Sequence, residues 1–118
     1  MKTVIVMLAL VVSINALTIR GYELNGRVDM VGELYEELDE SGNGIRITSY
    51  EGKIVEIETV SPSYQFQSKL DYLVKTYGRF VKDDMFESGE SFHYYCDGYS
   101  IVIRKTDERV YITYSSMR

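Results

Sequence analysis

Residues 92–114 read FHYYCDGYSIVIRKTDERVYITY, and the fold follows from how this stretch is paired. Phe92, Tyr94 and Cys96 alternate with His93 and Tyr95, the period of a strand with two different faces. Asp97-Gly98 then supplies the pair that a two-residue hairpin loop demands, because its primed turn needs positive φ at both positions. That loop pairs Cys96 with Tyr99, Tyr94 with Ile101 and Phe92 with Ile103. All six side chains share one face, so turn chemistry and apolar pattern select the same register. A second hairpin through Thr106-Asp107 pairs Ile103 with Val110, Ile101 with Ile112 and Tyr99 with Tyr114. The outcome is a three-stranded antiparallel meander, and residues 79–87 (RFVKDDMFE) add a fourth strand with Gly89 in the turn after it.

Working outward, Ser61-Pro62 reads as a helix start, with serine as the cap and proline at the first helical position. Phe66, Leu70, Leu73, Tyr77 and Phe80 follow at spacings of four and three, the apolar stripe of one helix. Gly78 ends it, since glycine alone accepts positive φ without strain. Before the helix, Ile45–Thr48 and Ile54–Ile57 flank Tyr50-Glu51-Gly52. A three-residue loop there pairs Ile47 with Val55 and Ile45 with Ile57. Val28, Val31, Leu34, Tyr35 and Leu38 have helical spacing and predict a shorter N-terminal helix, against a cost of about 1 kcal/mol for Gly32. Residues 17–27 (LTIRGYELNGR) read as a short strand or an ordered lead-in. The fold class is therefore α+β: a hairpin plus a three- or four-stranded meander, packed against one main helix and a shorter one.

The chain opens MKTVIVMLALVVSINA: Lys2, then an uncharged apolar run, then a small residue at Ala16. This is the layout of a secretory signal cleaved after residue 16, leaving residues 17–118 as one domain in a secreted or periplasmic location. An uncleaved anchor and a buried strand are the competing readings. After cleavage no stable membrane span is expected. Loss of Lys2 moves the formal net charge from −5 to −6. That acidity argues against broad nucleic-acid binding, which needs basic surface. One cysteine among 118 residues excludes an internal disulfide and any cysteine-clustered zinc site.

Asp39, Ser41, Asn43 and Gly44 match the first half of an EF-hand loop, but position eight is Arg46 and position twelve is Tyr50 instead of glutamate. A glycine-rich stop leading into a strand explains the same residues. His93 is the sole imidazole, and Cys96, three residues on along a strand, points to the other face, so they form no dyad. The pairs Glu36-Glu37, Asp39-Glu40, Asp83-Asp84 and Asp107-Glu108 fall in turns or on polar faces, where solubility accounts for them. No metal site and no cofactor is expected.

Eleven tyrosines are many for this length. Tyr94, Tyr99 and Tyr114 face the expected core, whereas Tyr95 and Tyr111 join His93, Val102 and Thr113 on the opposite face. Those five residues are the candidate binding set, because rigid amphipathic rings in a row are favoured at protein interfaces. The run from the helix through Tyr77-Gly78 to Val110-Tyr111-Ile112-Thr113-Tyr114-Ser115 resembles PepSY domains and the β-lactamase-inhibitor-protein-like fold over roughly residues 28–115. That resemblance of layout implies an exported, non-catalytic module that binds or inhibits a protein partner. A small hydrolase using His93 or a carboxylate pair, and an immunity or anti-host factor of a mobile element, are the other function classes. If the signal is cleaved, the intact mass of the exported protein corresponds to a chain beginning at Leu17.

Overall fold

A computed structural model describes residues 17–28, 34–40, 42–83, 91–96 and 98–116. The expected signal segment, Val31, Ser41, Gly89 and Asp97 lie outside the described residues. Two short strands come first, β1 (Thr18–Ile19) and β2 (Tyr22–Glu23), followed by β3 (Leu34–Leu38), β4 (Gly44–Tyr50) and β5 (Lys53–Pro62). A 3₁₀ turn (Ser63–Gln65) leads into α1 (Phe66–Tyr77), and β6 (Val81–Asp83), β7 (Ser91–Cys96), β8 (Tyr99–Lys105) and β9 (Arg109–Ser116) complete the chain. β1 and β2 form a hairpin, and the other strands form one antiparallel sheet in the order β3-β4-β5-β9-β8-β7-β6.

Local hairpins build the two halves of this sheet, and one long-range ladder joins them. β5 lies beside β9, with Ile57 opposite Tyr114 and Thr59 opposite Ile112. Helix α1 leaves the middle of the sheet after β5 and delivers the chain to β6 at its far edge. It must therefore cross the meander. The ring contacts record the crossing: Phe66 lies 6.1 Å from Phe92, and Tyr77 lies 6.2 Å from Tyr94 and 6.5 Å from Tyr99. Phe80, just beyond the helix, stacks on Tyr94 at 5.4 Å.

The core sits between α1, the β1–β2 hairpin and one face of the sheet. Ile47, Ile57, Leu73, Ile101 and Ile103 have no exposed surface. Each such side chain contributes about 1.5–3 kcal/mol through apolar area removed from water. Leu17 and Leu24 close the core from the β1–β2 side. That hairpin turns at Arg20-Gly21, both at positive φ, and docks on β5 through Asn25 N–H to the Ile54 carbonyl at 2.7 Å.

The hairpin from β7 to β8 has the register that the loop chemistry dictates, Cys96 opposite Tyr99 and Phe92 opposite Ile103. The other two hairpins are displaced by two residues from expectation. Ile103 lies opposite Ile112, and Ile101 opposite Tyr114, because the loop is Asp107-Glu108 and not Thr106-Asp107. The Thr106 hydroxyl sets this, accepting from Arg109 N–H at 3.1 Å and donating to the Arg109 carbonyl at 3.2 Å. In the β4–β5 hairpin, Glu51 and Gly52 both take positive φ and close a two-residue turn. A bulge at Thr48/Ser49 then places Ile47 opposite Ile57, not Val55. A shift of two residues keeps each β9 side chain on its expected face, whereas the bulge in β5 brings Ile54, not Val55, into the core.

Two further expectations are corrected. Residues 34–38, expected within a helix, form strand β3 beside β4. Helical spacing over a short segment is outweighed there by ladder hydrogen bonds to β4. Ser61 is not a helix cap; it belongs to β5, opposite Val110 and buried. The strand claims its backbone, the 3₁₀ turn follows, and the α-helix proper starts at Phe66. At its other end, Gly78 at φ 131° donates its N–H to the Val74 carbonyl at 3.0 Å, so the expected stop holds. β6 confirms a fourth meander strand over Val81–Asp83. Leu73→Ala is expected to lower unfolding free energy by about 2–5 kcal/mol, read from urea unfolding followed by circular dichroism.

Candidate functional site

The face of the sheet away from α1 is assembled by register alone. One cross-strand row runs Val81, His93, Val102, Thr113, Glu58, Arg46 and Glu36, one residue from each of the seven strands. The row beside it contains Ser91, Arg104, Tyr111, Val60 and Gly44. On the other side lie Tyr95, Ser100, Ser115, Glu56 and Thr48. Antiparallel pairing holds neighbours in a row about 5 Å apart, close enough for their side chains to touch.

All five sequence-derived residues share this face. His93, Val102 and Thr113 are consecutive in one row, Tyr95 lies one row away on β7, and Tyr111 one row away on β9. The rings of His93 and Tyr95 lie 4.8 Å apart. Tyr95 is 60% exposed and Val81, at the edge of the same face, 50%. Val102, Tyr111 and Thr113 are half-buried. Two contributors were missed. Arg104 lays its guanidinium over the Tyr111 ring at 4.8 Å, and Glu58 Oε2 accepts a 2.9 Å hydrogen bond from the Thr113 hydroxyl. Simple alternation along β8 points to Arg104, two residues after Val102. Nothing local points to Glu58, because its place depends on β5 meeting β9 across 55 residues.

The tyrosines divide as the strand period requires. Tyr114 is buried, and Tyr94 and Tyr99 pack partly buried against the core. Cys96 shares their face, half-buried, and bonds with the Tyr99 hydroxyl. Burial pushes the Tyr114 and Tyr99 hydroxyls far above the usual range, with the Cys96 bond adding to the effect at Tyr99. Burial also raises Tyr77, with Tyr72 adding to it.

Within its own row His93 stands between Val81 and Val102. The first carboxylate along the row is Glu58, three strands away, about 14 Å by strand spacing. Asp39, read above as a calcium-loop position, serves a turn between two strands; its Oδ1 accepts from Asn43 N–H at 3.0 Å. Among the described residues, no three His, Cys, Asp or Glu side chains gather as a metal site. No helix among them is long and apolar enough to cross a membrane. Family models, curated proteins and solved structures were all compared with the chain, and none matches it.

The buried tyrosines set a direction for alkaline stability. Their folded pKa values lie above the unfolded value of about 10, so their contribution is complete below that pH. Above it, the unfolded chain releases protons first and stability falls as pH rises. The urea midpoint should decline above about pH 10, and Tyr114→Phe should make that decline shallower.

Proposed function

We propose that this protein is an exported, non-catalytic binding module that presents the outer face of its sheet to a protein partner. The observation that carries the reading is the coplanar set Tyr95, His93, Val102, Thr113 and Tyr111 with Arg104 stacked on Tyr111. Each aromatic ring is held by strand register and a neighbouring side chain, so little rotamer entropy is lost when a partner covers it. Aromatic residues and arginine are the types that carry most energy at interfaces. The apolar opening of the chain supports export, and the PepSY-like and inhibitor-like layout agrees with binding rather than turnover.

Cross-linking capture from the exported fraction tests it, using the wild-type chain and a Tyr95→Ala/Tyr111→Ala double variant. The wild type is expected to retain a protein that the double variant loses by at least about tenfold. Unfolding curves show whether both chains are equally folded. Retention of the same protein by both, at equal yield, overturns the reading.

A further inference from the structure

Charge is unevenly spread along the chain, and the segment around α1 collects the positive part of it. Residues 63–82 carry Lys69, Lys75, Arg79 and Lys82 against one carboxylate, Asp71, a formal +3 in a chain of −5. The remaining residues therefore carry −8. Asp71 is itself engaged, accepting from the Gln67 side chain at 2.9 Å. Lys75, Arg79 and Lys82 are exposed, and so are three uncharged side chains of the same segment: Tyr64 at 82%, Tyr72 at 62% and Val74. Gln65, Ser68, Lys69 and Tyr72, none of them acidic, line a groove of about 320 Å³. Burial, and after it the charge of Arg20 at the tip of the β1–β2 hairpin, hold Lys69 below the usual lysine range. Two cations from separate elements thus meet beside the groove. Arg20 also borders a recess with Glu37 and Asp39, so the helix supplies most of the net charge. The acidic turn Asp107-Glu108 borders the helix start through Ser63 N–H to the Glu108 carbonyl at 3.1 Å, and marks the limit of the basic surface.

The same side of the molecule receives the apolar opening of the chain. Leu17 is buried in the core, and its carbonyl accepts from Leu24 N–H at 2.8 Å. It lies three residues before Arg20, at most about 10 Å of extended chain. Only residues 13–16 separate Leu17 from the uncharged run 3–12. While that run lies in a membrane, the side of the domain covered by α1 and the hairpin is held within reach of the lipid surface. Independently of the reading of the outer sheet face, we propose that the exposed face of α1 docks on an anionic phospholipid surface. Its lysines and arginines meet the phosphate groups, and Tyr64 and Tyr72 sit at headgroup level, where tyrosine is enriched. A phosphate at the groove relieves the repulsion between Lys69 and Arg20. The apolar stripe of α1 stays on the core, so the contact is superficial and inserts nothing into the hydrocarbon. The outer sheet face lies on the reverse of the molecule and stays open to a protein partner.

Co-sedimentation with lipid vesicles tests this on the chain recovered from the exported fraction. Vesicles of phosphatidylcholine alone are compared with vesicles rich in phosphatidylglycerol, at low and high salt. Binding is expected to the anionic vesicles only, and weakens as salt rises. Lys69→Gln/Lys75→Gln should lower the partition coefficient by about thirtyfold, the effect of two lysines neutralised near an anionic surface. Arg46→Gln/Lys53→Gln removes the same charge from the outer face and the β4–β5 turn, and should bind as the wild type does. Circular dichroism shows whether all three chains share one fold. Equal binding to neutral vesicles, an equal loss in both double variants, or no binding at all overturns the inference. Binding to soluble polyglutamate without binding to anionic vesicles overturns it too, in favour of an acidic protein. The two proposals fail separately, because none of these outcomes bears on a partner lost by the Tyr95→Ala/Tyr111→Ala variant.

Discussion

The pairing of β5 with β9 holds the molecule together. Every other ladder in the large sheet links strands that neighbour each other in sequence, whereas this one spans the helix and the whole meander. Without it, the chain is a three-stranded piece and a four-stranded piece, each with an apolar face open to water. With it, Ile47 and Ile57 continue the layer formed by Ile101 and Tyr114, and α1 has a surface broad enough to cover. Such a contact is costly to form because a long loop must close first, so its side-chain layer has to be well filled.

The same ladder creates the outer face. A seven-stranded sheet covered on one side by α1 and the β1–β2 hairpin leaves its reverse side to be explained. Here that side is a mixture of rings, valines and charged residues, with His93 packed on Tyr95, Arg104 on Tyr111 and Thr113 bonded to Glu58. Those contacts restrict the side chains before anything binds, which lowers the entropic cost of association. At the sheet's ends, β3 presents exposed Glu36 and Glu37, and β6 is only three residues long. A charged edge and a short edge both discourage further strands from adding.

How much of this was legible depended on which interactions were local. Asp97-Gly98 leaves one reasonable loop, so the β7–β8 register was readable residue by residue. The Thr106–Arg109 turn is held by a threonine side chain bonding back to the backbone, a weaker signal than glycine, and the register was misread by two. The inner and outer sets survived that error because side chains alternate with period two. The stripe from Phe66 to Tyr77 identified the helix, but Ser61-Pro62 resembled its start while belonging to β5. The N-terminal helix read from the spacing of Val28, Val31, Leu34, Tyr35 and Leu38 failed over Leu34–Leu38, an edge strand whose pairing with β4 is a tertiary contact that no local period records.

By itself, the amino-acid order determined the α+β class, the helix, the three-stranded core of the meander and the division of tyrosines between core and surface. These rest on side-chain period and turn chemistry, which act over a few residues. Tertiary structure alone decided that Glu58 reaches Thr113, that Leu34–Leu38 pairs with β4 as a strand, and that seven strands form one sheet. Strand partners distant in sequence are chosen by which combination buries the most apolar surface, a property of the whole chain.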